Sequence, residues 1–401
     1  MPVREPIDIP QHRLLTAARA AEIQPFEVME VLARANELER AGRHIVRMEI
    51  GEPDFTAPET VVEAAARAMR DGLTAYTPAL GLTELREAIA GFYAQRYGVN
   101  VPPDRIAVTA GASGALLLTL AALIDPGDEV LVPDPGYPCY RHFVRAFEGV
   151  ARALPLAAEA DFQPTGAQVE AAWGPRTKAL IVGSPSNPTG TLIAPAELAR
   201  IARFVASRGG ILIADEIYHG LVYTDRLNTA LGLPGNIVVI NSFSKYFCMT
   251  GWRLGWAVLP PALVRAFEKL AQHFFICPPT LSQRAALAAF LPETIGILEE
   301  RRDEFRKRRD FLVPGLERIG FGVPARPNGA FYVYADCAPF HADAKAFTFD
   351  VLLEQAGVAA TPGTDFGANA TQRFVRFAYT RSMDEIEEGI SRLRRVCAGG
   401  D

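Results

Sequence analysis

The sequence has no uninterrupted apolar stretch long enough to span a bilayer, so we predict no transmembrane helix and no membrane partner. It has no basic excess either, because 41 lysines and arginines face 46 acidic residues and leave a formal net charge of −5. A nucleic-acid-binding surface needs a basic stripe, so this balance argues against a nucleic-acid partner. Residues 1–12 carry charges and prolines but no apolar core, and we do not expect them to be a secretory signal.

Cysteine is scarce, and its spacing excludes two common uses. The five cysteines are odd in number and widely scattered, with no CxxC pair and no His-rich spacing of the kind that zinc requires. We therefore predict no metal site, and we interpret the thiols as reduced and mostly structural in a cytoplasmic protein. They are Cys139, Cys248, Cys277, Cys337 and Cys397.

The 401 residues, of which 49% are hydrophobic and 22% charged, fit a globular protein of two domains. Between about residues 105 and 259, short apolar runs alternate with helical patterns, such as the helix predicted over 195–207. Apolar strands separated by helices are typical of a mainly parallel sheet covered on both faces. The predicted strands are 106–109, 129–132 (ended by Pro133), 179–182, 210–214 and 237–240.

The two ends of the chain have a different pattern, which favours a second, smaller domain of α+β type. We predict helices over 23–41, 299–310 and 350–356 and from residue 383, with strands at 330–335 and 374–378. The domain prediction is a large domain over 45–290 and a small domain formed by 1–44 and 291–401.

Lys245 is the most informative polar residue. It follows the apolar run 237–240 and lies among Ser242, Ser244 and, eight residues later, Arg253. The glycines that flank Arg253 let the backbone approach a ligand closely. A lysine that can form a Schiff base, with hydroxyl groups and an arginine for a phosphate, is the chemistry of pyridoxal phosphate (PLP).

Two loops after predicted strands are further candidates. The turn that starts at Gly111 opens a helix, and its free N–H groups with the helix dipole favour an anion, although such a turn is more often only a turn. The segment 184–190 holds two prolines and a glycine, so it is rigid. Its Asn187 either caps backbone or presents an amide to a cofactor oxygen.

Asp215 ends a predicted buried strand, where a carboxylate is costly unless it is paired. It is a helix cap, a salt-bridge partner or the partner of a protonated pyridine nitrogen. Tyr218 follows three residues later and could donate to a phenolate-type oxygen. Arg376 lies in an apolar strand, where it forms either a surface ion pair or a two-pronged clamp on a substrate carboxylate.

Taken together, these motifs resemble the class I/II aminotransferases of PLP fold type I, the aspartate aminotransferase superfamily. The resemblance runs from about residue 23 to the last helix. It includes 51–55 (GEPDF), 76–78 (YTP), 81–82, 85–86 and 135–138 (PGYP), together with 184–190, 215–218, 241–255 and Arg376. It implies an α/β fold whose large domain has a mainly parallel seven-stranded sheet, plus a smaller α+β domain.

The resemblance also implies roles for individual residues. Lys245 would hold PLP covalently and then act as the proton-transfer base, Asp215 would pair with the pyridine nitrogen, and Tyr137 would stack on the ring. Tyr218 and Asn187 would bond the ring oxygen and lower the pKa of the Schiff base. The phosphate would be held by Gly111, Ala112, Ser113, Ser242, Ser244 and Arg253, and by Tyr76 of a second subunit, which implies a homodimer with shared active sites.

On the substrate side, the resemblance implies that Arg376 binds the α-carboxylate, with help from Asn187 and the backbone of Gly51. Residues 23–26 resemble the family's mobile amino-terminal lid. The reaction would be a two-step exchange between an L-amino acid and a 2-oxo acid. Bacterial aspartate aminotransferases of the nearest subgroup often carry a lysine at the position of Ser113. Its absence makes a neutral or hydrophobic amino acid, with glutamate and 2-oxoglutarate as the other pair, at least as good a candidate as aspartate.

Other functions use the same core motifs. A C–S lyase acting on cystathionine-like substrates is the alternative enzyme, and aspartate aminotransferase in the strict sense is another; cyclisation and decarboxylation also occur on this scaffold. A ligand-sensing regulator with an aminotransferase-like domain would need an amino-terminal DNA-binding domain, for which about twenty residues before the lid are too few.

Overall fold

The computed structural model describes residues 16–224 and 229–397. The strands in these ranges, in chain order, are β1 Val46–Arg47, β2 Ile106–Thr109, β3 Glu129–Asp134, β4 Val150–Pro155, β5 Thr177–Gly183, β6 Ile211–Asp215, β7 Asn236–Ser242, β8 Gly255–Val258, β9 Tyr332–Asp336, β10 Val358–Ala359, β11 Thr361–Pro362 and β12 Phe374–Ala378.

The helices are α1 Ala18–Glu22, α2 Glu27–Arg40, α3 Glu59–Arg70, α4 Thr83–Tyr97, α5 Gly111–Leu123, α6 Cys139–Ala146, α7 Gly166–Ala172, α8 Pro195–Ser207, α9 Pro261–Phe274, α10 Thr280–Ala286, α11 Pro292–Ile319, α12 Ala344–Ala346 and α13 Met383–Cys397. A π-helical stretch, Phe347–Gln355, continues α12. Within the described ranges, the helices lack the combination of length and apolar content needed to cross a membrane.

A seven-stranded sheet with the order β2-β8-β7-β6-β5-β3-β4 forms the large part of the molecule. Its neighbours are parallel except for β8, which runs antiparallel to both β2 and β7. Alternate side chains of a strand point to opposite faces, so Ala179 and Ile181 of β5 join one buried cluster while Leu180 and Val182 join another. Both faces are therefore covered by core, as the continuous apolar runs of the sequence predict.

The smaller part contains an antiparallel sheet, β11-β12-β9, and the parallel pair β1-β10. The predicted fold class, α/β with a mainly parallel sheet and a smaller domain, is confirmed. The pair β1-β10 joins Val46 to Val358, so residues just after the predicted boundary at 45 contact the carboxy-terminal part directly. The boundary at 45 and 290 stays a prediction.

The predicted end of the strand at 129–132 was wrong, because this strand, β3, continues through Pro133 to Asp134. Its pairing with β5 covers Glu129 to Leu131, whereas its pairing with β4 extends to Asp134. Proline has no N–H to donate, and it is tolerated where the ladder on one side has already ended. The sequence analysis also missed β4 and β8.

The direction of the strands determines where the site lies. The carboxyl ends of parallel strands meet at one edge of the sheet, so the loops after β2, β3, β5, β6 and β7 converge there. Because β8 is antiparallel, its amino end lies at the same edge, and Gly255 is opposite Ser242. This brings the segment containing Arg253 to the loops that follow the parallel strands.

Candidate active site

A cavity of about 290 Å³ opens at this edge of the sheet. It is lined by most of the residues that the sequence analysis singled out: Gly51, Ala112, Ser113, Tyr137, Asn187, Asp215, Tyr218, Ser242, Ser244, Lys245, Arg253 and Arg376. The structure therefore brings together side chains from the ends of β2, β3, β5, β6 and β7 and from β12. Gly111 and Tyr76 are the predicted site residues that do not line it.

Lys245 donates from Nζ to the backbone carbonyl of Gly51 at 2.7 Å. Burial, partly offset by Glu52, lowers the pKa of this amine to about 8. An amine with a pKa lowered in this way is present as the neutral nucleophile in a much larger fraction near neutral pH than an ordinary lysine. Lys245 therefore has the properties that covalent attachment of a carbonyl requires.

Donors for an anion collect where α5 begins. No side chain caps this helix, so its first N–H groups are not occupied by a cap. Ser242 donates from Oγ to the Leu254 carbonyl at 3.0 Å and contacts the hydroxyl of Ser244 at 3.0 Å. Arg253 lies beside them in the cavity wall and donates to the Thr250 carbonyl at 3.1 Å. A helix start, two hydroxyls and a guanidinium are suited to a phosphate group.

Gly111 contributes space to this cluster. A Cβ atom at Gly111 would lie 2.7 Å from Nη2 of Arg253, and the backbone φ of Gly111 is 73°. Only glycine adopts this conformation without strain, and only glycine leaves room for the guanidinium. Gly111 is thus a packing partner of the anion cluster.

Asp215 is a buried carboxylate at the end of β6, and burial raises its pKa to about 6. The phenol of Tyr140 donates to Oδ2 at 2.7 Å, and the backbone N–H of Ile217 donates to Oδ1 at 3.1 Å. These two bonds favour the charged form against the cost of burial. The sequence analysis missed Tyr140, although it lies two residues after the PGYP motif at 135–138.

Tyr218 lies on the cavity wall with its hydroxyl 2.8 Å from the hydroxyl of Tyr332. The rings of the two tyrosines meet edge to face, with centroids 5.7 Å apart. Tyr332 belongs to β9, which the sequence analysis predicted as a strand without assigning this side chain to the site. Tyr137 also lines the cavity and contacts Tyr140 edge to face at 5.4 Å.

Arg376 is not a surface residue, since only 4% of it is exposed. Its Nη1 donates to Oδ1 of Asn187 at 2.9 Å, and its Nη2 donates to the Glu49 carbonyl at 2.5 Å and to Thr361 at 3.1 Å. The guanidinium carbon also lies 4.4 Å from the ring centroid of Tyr332. Asn187 accordingly contacts Arg376 directly, the residue with which the family resemblance groups it at the substrate carboxylate.

Phe26, just before α2, and the first turn of α2 close part of the cavity. Phe26, Val28 and Met29 line it, and Glu27 donates its backbone N–H to Asp365 at 3.0 Å. The predicted lid segment 23–26 thus reaches the cavity at its last residue. Asp365, also in the cavity wall, was missed because its partner is 338 residues away.

Tyr76 lies outside the cavity, and 80% of it is exposed. Its predicted role belongs to a second subunit and stays a prediction. Among residues 16–224 and 229–397 there is no cluster of three or more side chains that could hold a metal ion. All five cysteines lie in these ranges, and none is in a disulfide.

Comparison with known proteins identifies the family to which the chain belongs. The sequence model described as aminotransferase class I and II matches residues 43–393. The chain is 43% identical over 378 residues to valine–pyruvate aminotransferase of Mycobacterium tuberculosis, covering 94% of this chain and 97% of that protein. It is 38% identical to aspartate/prephenate aminotransferase of Thermus thermophilus, covering 94% and 97% respectively.

Solved structures agree. The crystal structure of an aminotransferase from Mycobacterium tuberculosis superposes with a TM-score of 0.91 at 42% identity, covering 95% of this chain and 98% of that chain. Aspartate aminotransferase from Thermus thermophilus with maleate superposes with a TM-score of 0.90 at 37% identity, covering 96% and 100%.

Proposed function

The chain belongs to the class I and II aminotransferases, which are PLP-dependent transferases, and on that premise we propose that its preferred amino donor is an apolar L-amino acid. The observation that carries this proposal is the apolar wall of the cavity. Phe26, Val28, Met29, Ile50 and Leu116 line the same cavity as Arg376. A wall of aliphatic and aromatic side chains favours an apolar substrate side chain and leaves a second carboxylate without a partner.

The positive charges of the cavity support the same choice. Among the described residues, the cations that line it are Lys245, Arg253 and Arg376. We propose that these three hold the cofactor carbonyl, the phosphate and the substrate α-carboxylate, so that none is left for a distal carboxylate. Ser113, at the position where related aspartate enzymes often carry a lysine, presents a neutral hydroxyl to the cavity.

The residues present fit PLP. The cavity offers a buried amine at Lys245 and a buried carboxylate at Asp215. It also offers the cluster of hydroxyls, helix start and Arg253, whose packing leaves no space for a Cβ at Gly111. We propose that Lys245 holds PLP covalently, that Asp215 pairs with its ring nitrogen and that Tyr137 packs on its ring. When bound, PLP supplies an electron-withdrawing ring that stabilises negative charge at the substrate α-carbon.

The chain's own groups then have separate tasks. Arg376 attracts the α-carboxylate with its guanidinium charge, which its bonds to Asn187, Glu49 and Thr361 hold in one position, and so fixes the orientation of the α-carbon. Lys245, whose pKa lies near 8, can accept and return a proton near neutral pH. The bonds from Tyr140 and Ile217 keep Asp215 ionised for a cationic ring nitrogen. Phe26 and Met29 cover the cavity and exclude water.

For the second substrate we propose glutamate and 2-oxoglutarate as one exchanging pair, with pyruvate as the competing acceptor. The Mycobacterium tuberculosis relative is named for valine and pyruvate, whereas the Thermus thermophilus relative is named for aspartate and prephenate.

A panel of amino acids tests the donor. Each acid is added without acceptor to the purified holoenzyme, and the change in cofactor absorbance gives kcat/KM for the half-reaction. We expect kcat/KM for valine, leucine or another apolar amino acid to be at least tenfold higher than for aspartate. This ratio corresponds to a preference of about 1.4 kcal/mol. Faster reaction of aspartate would make the enzyme an aspartate aminotransferase in the strict sense.

The same panel separates the lyase alternative. A C–S lyase would release pyruvate from cystathionine without an acceptor acid, whereas an aminotransferase converts its cofactor once and stops. We expect a single turnover with the best amino acid, and renewed turnover when pyruvate or 2-oxoglutarate is supplied.

Two further proposals concern the oligomeric state and the cell compartment. We propose that the enzyme is a homodimer with Tyr76 of each subunit completing the other's phosphate site. Supporting this, exposed apolar side chains occur around Tyr76 in sequence and again at the end of α9. They are Leu73, Tyr76, Phe274, Phe275 and Ile276. We also propose that it acts in the cytoplasm, in keeping with its five free thiols.

A further inference from the structure

Tyr332 contacts two parts of the active site at once. Its hydroxyl lies 2.8 Å from that of Tyr218, and the guanidinium of Arg376 lies over its ring at 4.4 Å from the centroid. We propose that Tyr332 is a positioning residue which directs the hydroxyl hydrogen of Tyr218 into the cavity and holds Arg376 in place for the substrate carboxylate. The inference rests on the proposed function, because it uses the roles given there to Tyr218 and Arg376.

The count of hydrogens gives the direction of the bond between the tyrosines. Burial raises the pKa of both phenols, so each keeps its one hydrogen at neutral pH. Tyr332 is 1% exposed and has no other hydrogen-bond partner among the described residues. If Tyr218 were the donor, the hydrogen of Tyr332 would be buried without a partner, which costs free energy. Donation by Tyr332 leaves the hydrogen of Tyr218 free for an acceptor in the cavity.

Accepting a hydrogen bond also makes Tyr218 a better donor, because successive hydrogen bonds polarise one another. A donor to a negatively charged cofactor oxygen stabilises that charge and lowers the pH at which the bound cofactor loses its proton. The hydroxyl of Tyr332 therefore affects cofactor chemistry through Tyr218.

The ring of Tyr332 acts separately on Arg376. Across the antiparallel pair β9-β12, Arg376 is opposite Tyr334, and Tyr332 is its diagonal neighbour on the same face. The face of an aromatic ring attracts a cation, most strongly where water is excluded. Within the described residues, Nε of Arg376 has no hydrogen-bond partner, and the guanidinium carbon lies 4.4 Å from the ring centroid of Tyr332 and 4.9 Å from that of Phe366. Of these two rings, that of Tyr332 is the nearer.

Gly51 keeps Tyr332 in position from the other side. A Cβ atom at Gly51 would lie 1.8 Å from the hydroxyl oxygen of Tyr332 and 2.7 Å from its Cζ. The ring is thus held between Arg376 and the backbone of Gly51, whose carbonyl also accepts the bond from Lys245. A side chain confined in this way presents one geometry to both of its partners.

Two substitutions separate the hydroxyl from the ring. Tyr332→Phe keeps the ring and removes the donor. We therefore expect the midpoint of the absorbance titration of the holoenzyme to lie on the order of half a pH unit higher than in the wild type. We expect kcat to fall about threefold to tenfold with KM within about twofold. Tyr332→Leu removes both parts, and it should also weaken binding of 3-methylbutanoate, the carboxylate analogue of valine, by about tenfold.

Tyr334→Phe is the matched control. Tyr334 lies two residues away on the same strand, is equally buried, and has a hydroxyl with no partner among the described residues. It should leave the absorbance titration, kcat and 3-methylbutanoate binding unchanged. Circular dichroism and thermal unfolding of all variants establish that each one folds.

A double variant tests the route through Tyr218. In a Tyr218→Phe background, Tyr332→Phe should add no further shift, because the phenol through which it acts is gone. An additive shift, an unshifted titration in Tyr332→Phe, or unchanged 3-methylbutanoate binding in Tyr332→Leu would each overturn the inference. The absorbance titration needs neither turnover nor substrate, so it stays informative even if the proposed apolar donor proves wrong.

Discussion

The unusual ionisation of Lys245 has a consequence for stability. In the unfolded chain a lysine has a pKa near 10.4, whereas burial lowers the pKa of the folded Lys245 to about 8. Between these values the unfolded state binds more protons, so stability rises with pH. The penalty for burying the amine is complete below about pH 8 and absent above about pH 10.4.

We therefore expect Lys245→Met, as apoenzyme, to unfold at a higher temperature than the wild-type apoenzyme at pH 7. The gain, on the order of 2 kcal/mol, should shrink as the pH approaches 10. Calorimetry of both apoproteins across pH 6–10 measures it, and Lys269→Met, at an exposed lysine of α9, serves as control. A less stable variant, or a gain that does not depend on pH, would contradict the assignment. The same variant should lose the absorbance of the covalently held cofactor.

Arg376 combines charge with fixed geometry. Arg376→Ala should lower kcat/KM by a factor that corresponds to about 3 kcal/mol, roughly a hundredfold or more, since it leaves a buried carboxylate unpaired. Arg376→Lys should recover little, because an ammonium group cannot form the two parallel bonds of a guanidinium.

Steady-state kinetics with the best amino acid measures both substitutions. Arg373→Ala is the control, because Arg373 is about half exposed and pairs with Asp336 at the surface. Near-normal kcat/KM in Arg376→Ala would rule out the proposed carboxylate clamp.

Among the elements, α2 depends on Asp365 for its start. The carboxylate accepts the backbone N–H of Glu27, the first residue of the helix, and Phe26 just before it lines the cavity. A negative charge at a helix start satisfies free N–H groups and interacts favourably with the helix dipole. Asp365 therefore fixes the amino-terminal segment against the site.

Asp365→Asn keeps the shape and removes the charge. We expect the lost interaction between charge and helix dipole to cost up to about 1 kcal/mol at this helix start, seen as faster proteolysis before α2, and to raise KM several-fold with kcat less affected. Asp343→Asn is the matched control, since Asp343 caps α12 through the N–H groups of Lys345 and Ala346 outside the cavity wall. It should lower stability without changing KM. Equal KM effects in the two variants would contradict the role given to Asp365.

The elements also differ in how far the sequence predicts them. The helix at 195–207 and the strands at 106–109 and 374–378 have the predicted bounds, because their apolar pattern and their ends are local. In contrast, β8 has only four residues and begins with glycine, and it is a strand because β2 and β7 pair with it on both sides. Tertiary pairing, which local propensity does not encode, explains this miss.

For the whole molecule, shared active sites predict complementation between subunits. Lys245→Ala and Tyr76→Ala should each be impaired alone, because each removes one component of every site. In a mixed dimer, one site would have Lys245 from one chain and Tyr76 from the other, so refolding the two variants together should restore up to about a quarter of the wild-type activity. Activity of the mixture no higher than that of the separate variants would exclude this arrangement. Mixing each variant with itself is the control.

The sequence alone determined the cofactor chemistry and the fold class. Lys245, Asp215 and the turn at Gly111 lie next to apolar runs, and a local pattern suffices to place such residues at strand ends. Only the tertiary structure decided how these groups are held. Tyr218 meets Tyr332 across 114 residues, Asp215 meets Tyr140 across 75, and Arg376 meets Asn187 across 189. Such contacts depend on strand order and on which chain segments share one edge of a sheet, and these are set by packing of the whole chain.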